Sequence, residues 1–250
     1  MTDKTKITLI YTSVAILSAL MIFGFVLLRN LKDMKADVGK NNEMAVNVGK
    51  NDQNEFLQLQ KDITLTNQDG EEVSISELKD KVWVFAQFFA KCPRCAERNY
   101  TDLLALYKEY SDDPNFAIVC MSIDPETDNV ERLKEYAEVV KADSKKWMFL
   151  TGDKEAMYSY MSDEMKFLDI RKRTDPAQIA AQGLYAHDMG VAVFDKDLKM
   201  RVKVDLAFAR TQNEDLLKAF ETKLYKTIDT ALDRWKLLKL GTYSPRLSPS

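Results

Sequence analysis

The run Val82-Trp83-Val84-Phe85-Ala86-Gln87-Phe88-Phe89-Ala90-Lys91-Cys92-Pro93-Arg94-Cys95 decides the fold. Its first eight residues are apolar apart from Gln87, as expected of a central strand buried on both faces rather than one with a wet side. The cysteine pair follows at once. From Ala96 to Tyr110, Leu103, Leu104, Leu106 and Tyr107 then recur with helical spacing. Cys92 and Cys95 therefore sit where a buried strand turns into a helix.

Outward from this point the chain alternates. Residues 116–123 (FAIVCMSI) read as a second buried strand, 129–140 as an amphipathic helix, 147–150 as a third strand and 154–167 as a helix. Residues 191–195 and 201–206 read as a hairpin about Lys196-Asp197, and 213–238 as one long terminal helix. Upstream, residues 63–66 and 72–75 flank the turn Asn67-Gln68-Asp69-Gly70, and residues 76–78 suit a helical turn. This order predicts an α/β domain of thioredoxin-like fold, a central mixed sheet flanked by helices, over residues 61–238.

Ahead of the domain, residues 1–6 form a short tail. Residues 7–28 (ITLIYTSVAILSALMIFGFVLL) carry no charge and are long enough to cross a bilayer as a helix. A cleaved signal peptide would have a shorter apolar run and a small-x-small cleavage site after it. No such site follows, so the segment is predicted to be a transmembrane anchor. Residues 29–60 are polar and read as a tether, and residues 239–250 as a disordered tail. Lys4 and Lys6 precede the apolar run, whereas Arg29, Lys32 and Lys35 follow it. Taken alone, that count favours a cytoplasmic C-terminal domain.

Composition excludes several classes. The net charge of −3 argues against nucleic acid as a partner, because phosphate binding needs a basic surface. Three cysteines are too few for a disulfide-stapled scaffold. The single histidine, His187, excludes any site needing two imidazoles.

At a helix N-terminus, the first thiol of Cys-x-x-Cys lies near unpaired backbone amides and the positive end of the helix dipole. Both favour thiolate. Lys91 and Arg94 add positive charge. Cys92 is then the nucleophile and Cys95 the sulfur able to resolve a mixed disulfide. The same pair can present two thiolates to a soft ion such as Cu(I). A structural zinc site needs four ligands, and only Cys120 and His187 remain to complete one. Cys120, between Val119 and Met121, reads instead as a small buried hydrophobe. His187 precedes the apolar strand at 191–194, and in thioredoxin folds the loop before that strand approaches the cysteine pair. The choice is between a histidine bonded locally, to Asp188 or a carbonyl, and a third ligand beside two thiolates.

The chain resembles the Sco/SenC family, membrane-anchored thioredoxin-like proteins tied to copper delivery and cytochrome c oxidase assembly. The resemblance runs over residues 63–224. It is carried by ITLTNQDGEEVSISELKDKVWVFAQFF leading into KCPRC, by VCMSIDPETDNVERLKEYAEVV followed by WMFLTGDKE, and by HDMGVAVFDKDLKMR. It implies Cys92, Cys95 and His187 as ligands of Cu(I) or Cu(II). It also implies an extracytoplasmic domain and an acceptor such as a cytochrome c oxidase subunit or another thiol protein. A metallochaperone role is thereby favoured over an enzymatic one.

The family usually spaces its cysteines as Cys-Pro-x-x-Cys-Pro, whereas here two residues intervene and Ala96 follows. The shorter spacing belongs to thiol–disulfide oxidoreductases. The alternative reading is accordingly a general oxidoreductase of the TlpA/ResA type without copper, with Cys92 and Cys95 catalytic. The family also tends to have Asp-His-Ser at the histidine; here Ala186 precedes it, and Asp188 is the acid left to support the imidazole.

Asp124, before Pro125, is read either as a residue near the site, as the family pattern implies, or as a turn residue. Met157, Met161 and Met165 share one helical face, so packing is expected of them rather than metal binding. Leu216, Leu217, Phe220, Leu224, Ile228, Leu232 and Trp235 stripe the terminal helix. Its first half is predicted to cover the sheet and its second half to meet a partner or another subunit.

Overall fold

A computed structural model describes residues 57–90 and 95–233 of the chain. The core is a five-stranded sheet in the order β5-β4-β3-β8-β9. Strand β3 (Val82–Phe88) runs parallel to β4 (Phe116–Ser122), and β4 parallel to β5 (Trp147–Leu150). On its other side β3 pairs antiparallel with β8 (Val191–Phe194), which turns back into β9 (Met200–Val204). The mixed sheet is the one predicted.

Every residue of β3 and β4 is buried, as expected of sequences that are apolar but for Gln87 and Ser122. Alternate side chains of β3 enter different cores. Val82, Val84, Ala86 and Phe88 pack with Leu103 and Leu106 of α1 (Cys95–Tyr110), Leu133 of α2 (Val130–Val140) and Leu224 and Ile228 near the chain end. Trp83 and Phe85 face the other way, onto Met157, Met161 and Phe167. Helix α3 (Lys154–Ser159) supplies Met157, and the wider turn Tyr160–Glu164 that continues it supplies Met161. That core also takes in Ile75 and Leu78 from the 3₁₀ turn after the small hairpin β1 (Thr64–Thr66)/β2 (Glu72–Ser74).

Three stretches differ from expectation. Residues 171–186, left unassigned from sequence, form an excursion made of β6 (Arg171–Lys172), α4 (Pro176–Gln182) and β7 (Tyr185–Ala186). The terminal helix begins at Asn213 as predicted, but a further helix that was not predicted precedes it. Helix α5 (Leu206–Gln212) begins at Asp205, whose side chain accepts from Phe208 N, and α6 (Glu214–Ala231) begins at Asn213, which accepts from Leu216 N. Asn213 is fully extended, so the helix must restart there. Residues 57–60, assigned to the tether, pair with the β8–β9 turn: Leu59 N donates to Leu198 O and Met200 N to Leu57 O.

The second half of α6 is also turned inward. Leu224 and Ile228 are fully buried and Leu232 packs against the same core, so this part of the stripe covers the sheet rather than a partner. Trp235 lies outside the described residues, as do the segments 1–6, 7–28 and 239–250. Among the described residues no helix is long and apolar enough to cross a membrane.

Candidate functional site

Ala86 pairs with Val191. The C-terminal end of β3, leading to Cys92, and the start of β8, four residues after His187, therefore lie at the same end of the sheet. Phe89, three residues before Cys92, meets the imidazole of His187 edge-on, with ring centroids 6.1 Å apart and planes at 83°. Cys95 opens α1. Cys92 lies outside the described residues, so His187 is placed beside the chain entering the cysteine motif.

His187 Nδ1 is 2.9 Å from the carbonyl oxygen of Asp188. A carbonyl can only accept, so Nδ1 carries the hydrogen and Nε2 presents its lone pair. Burial holds the imidazole below its ordinary pKa, and the charge of Arg173 pushes the same way, against the Asp188 hydrogen bond. The ring is thus neutral and able to ligate at neutral pH.

The carboxylate of Asp188 supports the imidazole only through its charge, which opposes the lowering of the ring's pKa; its hydrogen bonds go elsewhere. Its Oδ1 accepts from Gly190 N (2.8 Å), and its Oδ2 accepts from Leu168 N (3.1 Å) and pairs with Lys203 Nζ. Lys203 lies over the Phe167 ring, 4.0 Å from its centroid. A Cβ on residue 190 would come within 2.7 Å of Lys203 Cε and 2.8 Å of Asp188 Oδ1, so the loop closes over its ion pair only because residue 190 is glycine. Gln87, the one polar residue of β3, accepts from Asp188 N (3.0 Å) and points its amide at Met161 Sδ.

The segment after β4 ties both approaches to the site. Asp124 fits both readings: its carbonyl accepts from Thr127 N and Asp128 N in the turn after β4, and its buried carboxylate accepts from Tyr185 Oη (2.9 Å), two residues before His187. Asp128 is buried and accepts from Ser122 Oγ (2.7 Å) and from Ala90 N (3.2 Å), two residues before Cys92. Burial raises the Asp128 pKa, opposed by those two hydrogen bonds.

Sequence reasoning missed Gln87, Asp128, Tyr185 and Lys203. Gln87 alone carried a signal, as the polar residue in an apolar run. Cys120 is buried as expected, accepts from Trp147 Nε1 at 3.3 Å, and has its thiol pushed up to about 12 by burial. Met157, Met161 and Met165 are core residues. No group of three or more potential metal ligands occurs among the described residues, which omit Cys92.

The lowered histidine pKa fixes the sign of a pH effect. Between the folded value and about 6.5, the unfolded chain holds a proton that the folded chain lacks. The protein should therefore lose stability as pH falls through this window and level off once both states are protonated. Urea titrations of wild type and His187→Asn should diverge there, and parallel curves would contradict the assignment.

The sequence pattern of the SCO1/SenC family matches residues 51–222. The chain belongs to this family. A SCO1 protein homolog of Bacillus subtilis (strain 168) is 32% identical over 90 residues, which are 36% of this chain and 47% of the relative. The match thus spans about half of that curated relative. Two solved Sco structures share the fold. One is BsSco, described as a member of the Sco family of cytochrome c oxidase assembly proteins and as containing a disulfide switch. It has a TM-score of 0.51 at 22% identity, over 72% of this chain and 96% of the other. The second is Arabidopsis thaliana ScoI with copper bound, with a TM-score of 0.52 at 18% identity, over 72% and 98%. The sheet and helices described above are therefore the thioredoxin-like Sco fold.

Proposed function

We propose that this Sco-family chain receives and delivers copper, or keeps acceptor thiols reduced, during assembly of the cytochrome c oxidase copper site. Residues 7–28 would anchor it, with the domain outside the cytoplasm. Cys92 and Cys95 as thiolates and His187 through Nε2 would hold Cu(I) or Cu(II) as cargo, a donor set suited to a soft ion. The observation that carries this reading is the imidazole held through Nδ1 by the Asp188 carbonyl, which makes Nε2 its acceptor nitrogen, beside the chain entering the cysteine motif. Membership of a family with copper-bound structures supports it.

Metal titration of the reduced protein tests it. One equivalent of copper should bind, and His187→Ala should weaken binding at least about tenfold while leaving the thiol titration unchanged, as expected for loss of one ligand. Reduced wild-type protein that binds no copper would overturn the reading.

The two-residue cysteine spacing favours a second reading, a thiol–disulfide oxidoreductase in which Cys92 attacks and Cys95 resolves. In that case Cys92→Ser abolishes disulfide reduction, and an intact rate would eliminate it.

A further inference from the structure

Gln87 is the one polar residue of β3, the central strand, and it is buried with the rest of that strand. An amide there costs stability unless it is hydrogen-bonded. An apolar side chain would fill the same place beside the Trp83, Phe85 and Met161 core without that cost. Packing therefore does not account for Gln87. Its amide nitrogen meets only a thioether, Met161 Sδ at 3.7 Å, which is a weak acceptor. Its amide oxygen has the stronger partner, the backbone N–H of Asp188 at 3.0 Å.

That N–H belongs to the peptide joining His187 to Asp188. The pairing of β3 with β8 ends at Ala86 and Val191, so residues 187–190 lie beyond the last paired residue of β8. Gln87 stands one residue past that pair, with its own backbone in register with Met121 of β4. Its side chain thus ties the loop to the central strand where the ladder no longer does. Held by its N–H, Asp188 turns its carbonyl oxygen to His187 Nδ1 at 2.9 Å. A carbonyl only accepts, so this contact selects the tautomer with hydrogen on Nδ1, whereas an imidazole free in water favours hydrogen on Nε2. The Asp188 carboxylate is held separately, by Gly190 N, Leu168 N and Lys203, so the backbone N–H is the part of the residue that Gln87 controls.

We infer that Gln87 is a positioning residue for His187: through the Asp188 peptide it holds the imidazole in the tautomer whose Nε2 can ligate. The inference deepens the copper reading and rests on it for its consequence, since an imidazole that must first exchange tautomers binds metal less well. Gln87 acts through Asp188 and is not itself a ligand.

The test uses the full chain in detergent, reduced, copper-free and labelled with ¹⁵N. His187 is the single histidine, so its two ring nitrogens are read without ambiguity. In neutral solution wild type should show a protonated Nδ1 and an unprotonated Nε2. Gln87→Met keeps the length of the side chain but offers Asp188 N no oxygen. Its ring nitrogens should move toward the averaged shifts of a free imidazole, and copper affinity should fall about tenfold, as for loss of an outer partner of a ligating histidine. Gln87→Glu keeps an acceptor oxygen and should retain the wild-type tautomer, which a role in packing or in the Met161 contact would not predict. A wild-type ring with its hydrogen on Nε2, a Gln87→Met ring indistinguishable from wild type, or loss of the tautomer in Gln87→Glu would overturn the inference. Where Gln87→Met does not fold, Gln87→Asn, whose amide is drawn back from Asp188 by one methylene, is read by the same outcomes. If reduced wild type binds no copper, the copper reading fails and the ring spectra alone decide whether Gln87 sets the tautomer.

Discussion

Asp188→Ala should destabilise the protein by about 3–5 kcal/mol, the cost of stripping one partner from a buried ion pair. The Asp188 side chain is 6% exposed and that of Lys203 17%, so water cannot take over from the lost carboxylate. The substitution also orphans the Gly190 and Leu168 amides, which both donate to that carboxylate. Because the same residue donates its N–H to Gln87 and offers its carbonyl to His187, the imidazole should lose its fixed orientation along with the loop. Copper affinity should fall even though no proposed ligand is touched. Asp188→Asn should cost less, since an amide oxygen can still accept from Gly190, while Lys203→Met combined with Asp188→Asn should recover part of the Asp188→Asn loss. Urea unfolding followed by tryptophan fluorescence checks all three. An Asp188→Ala variant within about 1 kcal/mol of wild type would show that the ion pair does not hold the loop.

Such a residue was hard to read from sequence, and the reason is physical. Buried strands declare themselves through composition: β3 and β4 are apolar but for Gln87 and Ser122 because both faces of the sheet are covered, and both were legible almost to the residue. The place of His187 beside the chain entering the cysteine motif was legible because the order of elements brings the end of β3 and the start of β8 to one end of the sheet. The excursion over residues 171–186 was not, since two-residue strands with exposed Arg171 and Lys172 show neither alternation nor an apolar run. The start of α6 at Asn213 was legible, whereas α5, only seven residues long, is too short to show a helical repeat. Asp128 and Lys203 carry no signal in the sequence, and Asp188 reads as a partner of the imidazole rather than as half of an ion pair. Their roles depend on partners far along the chain or across a turn, as with Lys203 fifteen residues from Asp188 and Ala90 thirty-eight from Asp128. Long-range polar pairing leaves no periodicity, so only the folded structure displays it.

Asp128 is where that pairing should matter most for the cysteines. Its carboxylate takes the Ser122 hydroxyl at the end of β4 and the Ala90 amide at the start of the cysteine loop, and so locks the loop's entry to the sheet. Asp128→Ala leaves both donors without an acceptor, at about 1–3 kcal/mol for each one that stays buried. Part of that is returned, because a carboxylate whose pKa is raised by burial is itself unfavourable when ionised. The sign follows from linkage. Between 3.8 and the raised folded value, the folded protein holds a proton that the unfolded chain has lost, so this group's contribution to stability falls as pH rises through that window. Asp128→Asn removes the slope and keeps one acceptor. It should therefore be less stable than wild type at acid pH, where Asp128 is protonated and its full hydrogen-bond set costs nothing in charge, and should close the gap toward neutrality. Urea titrations from below 3.8 to neutral pH give the comparison. In the Ala variant the freed Ala90 should release the loop leading to Cys92, lowering copper affinity in the reduced protein while His187 keeps its hydrogen bond to the Asp188 carbonyl. A variant with wild-type copper affinity and a wild-type pH profile would mean that the cysteine loop is positioned without Asp128.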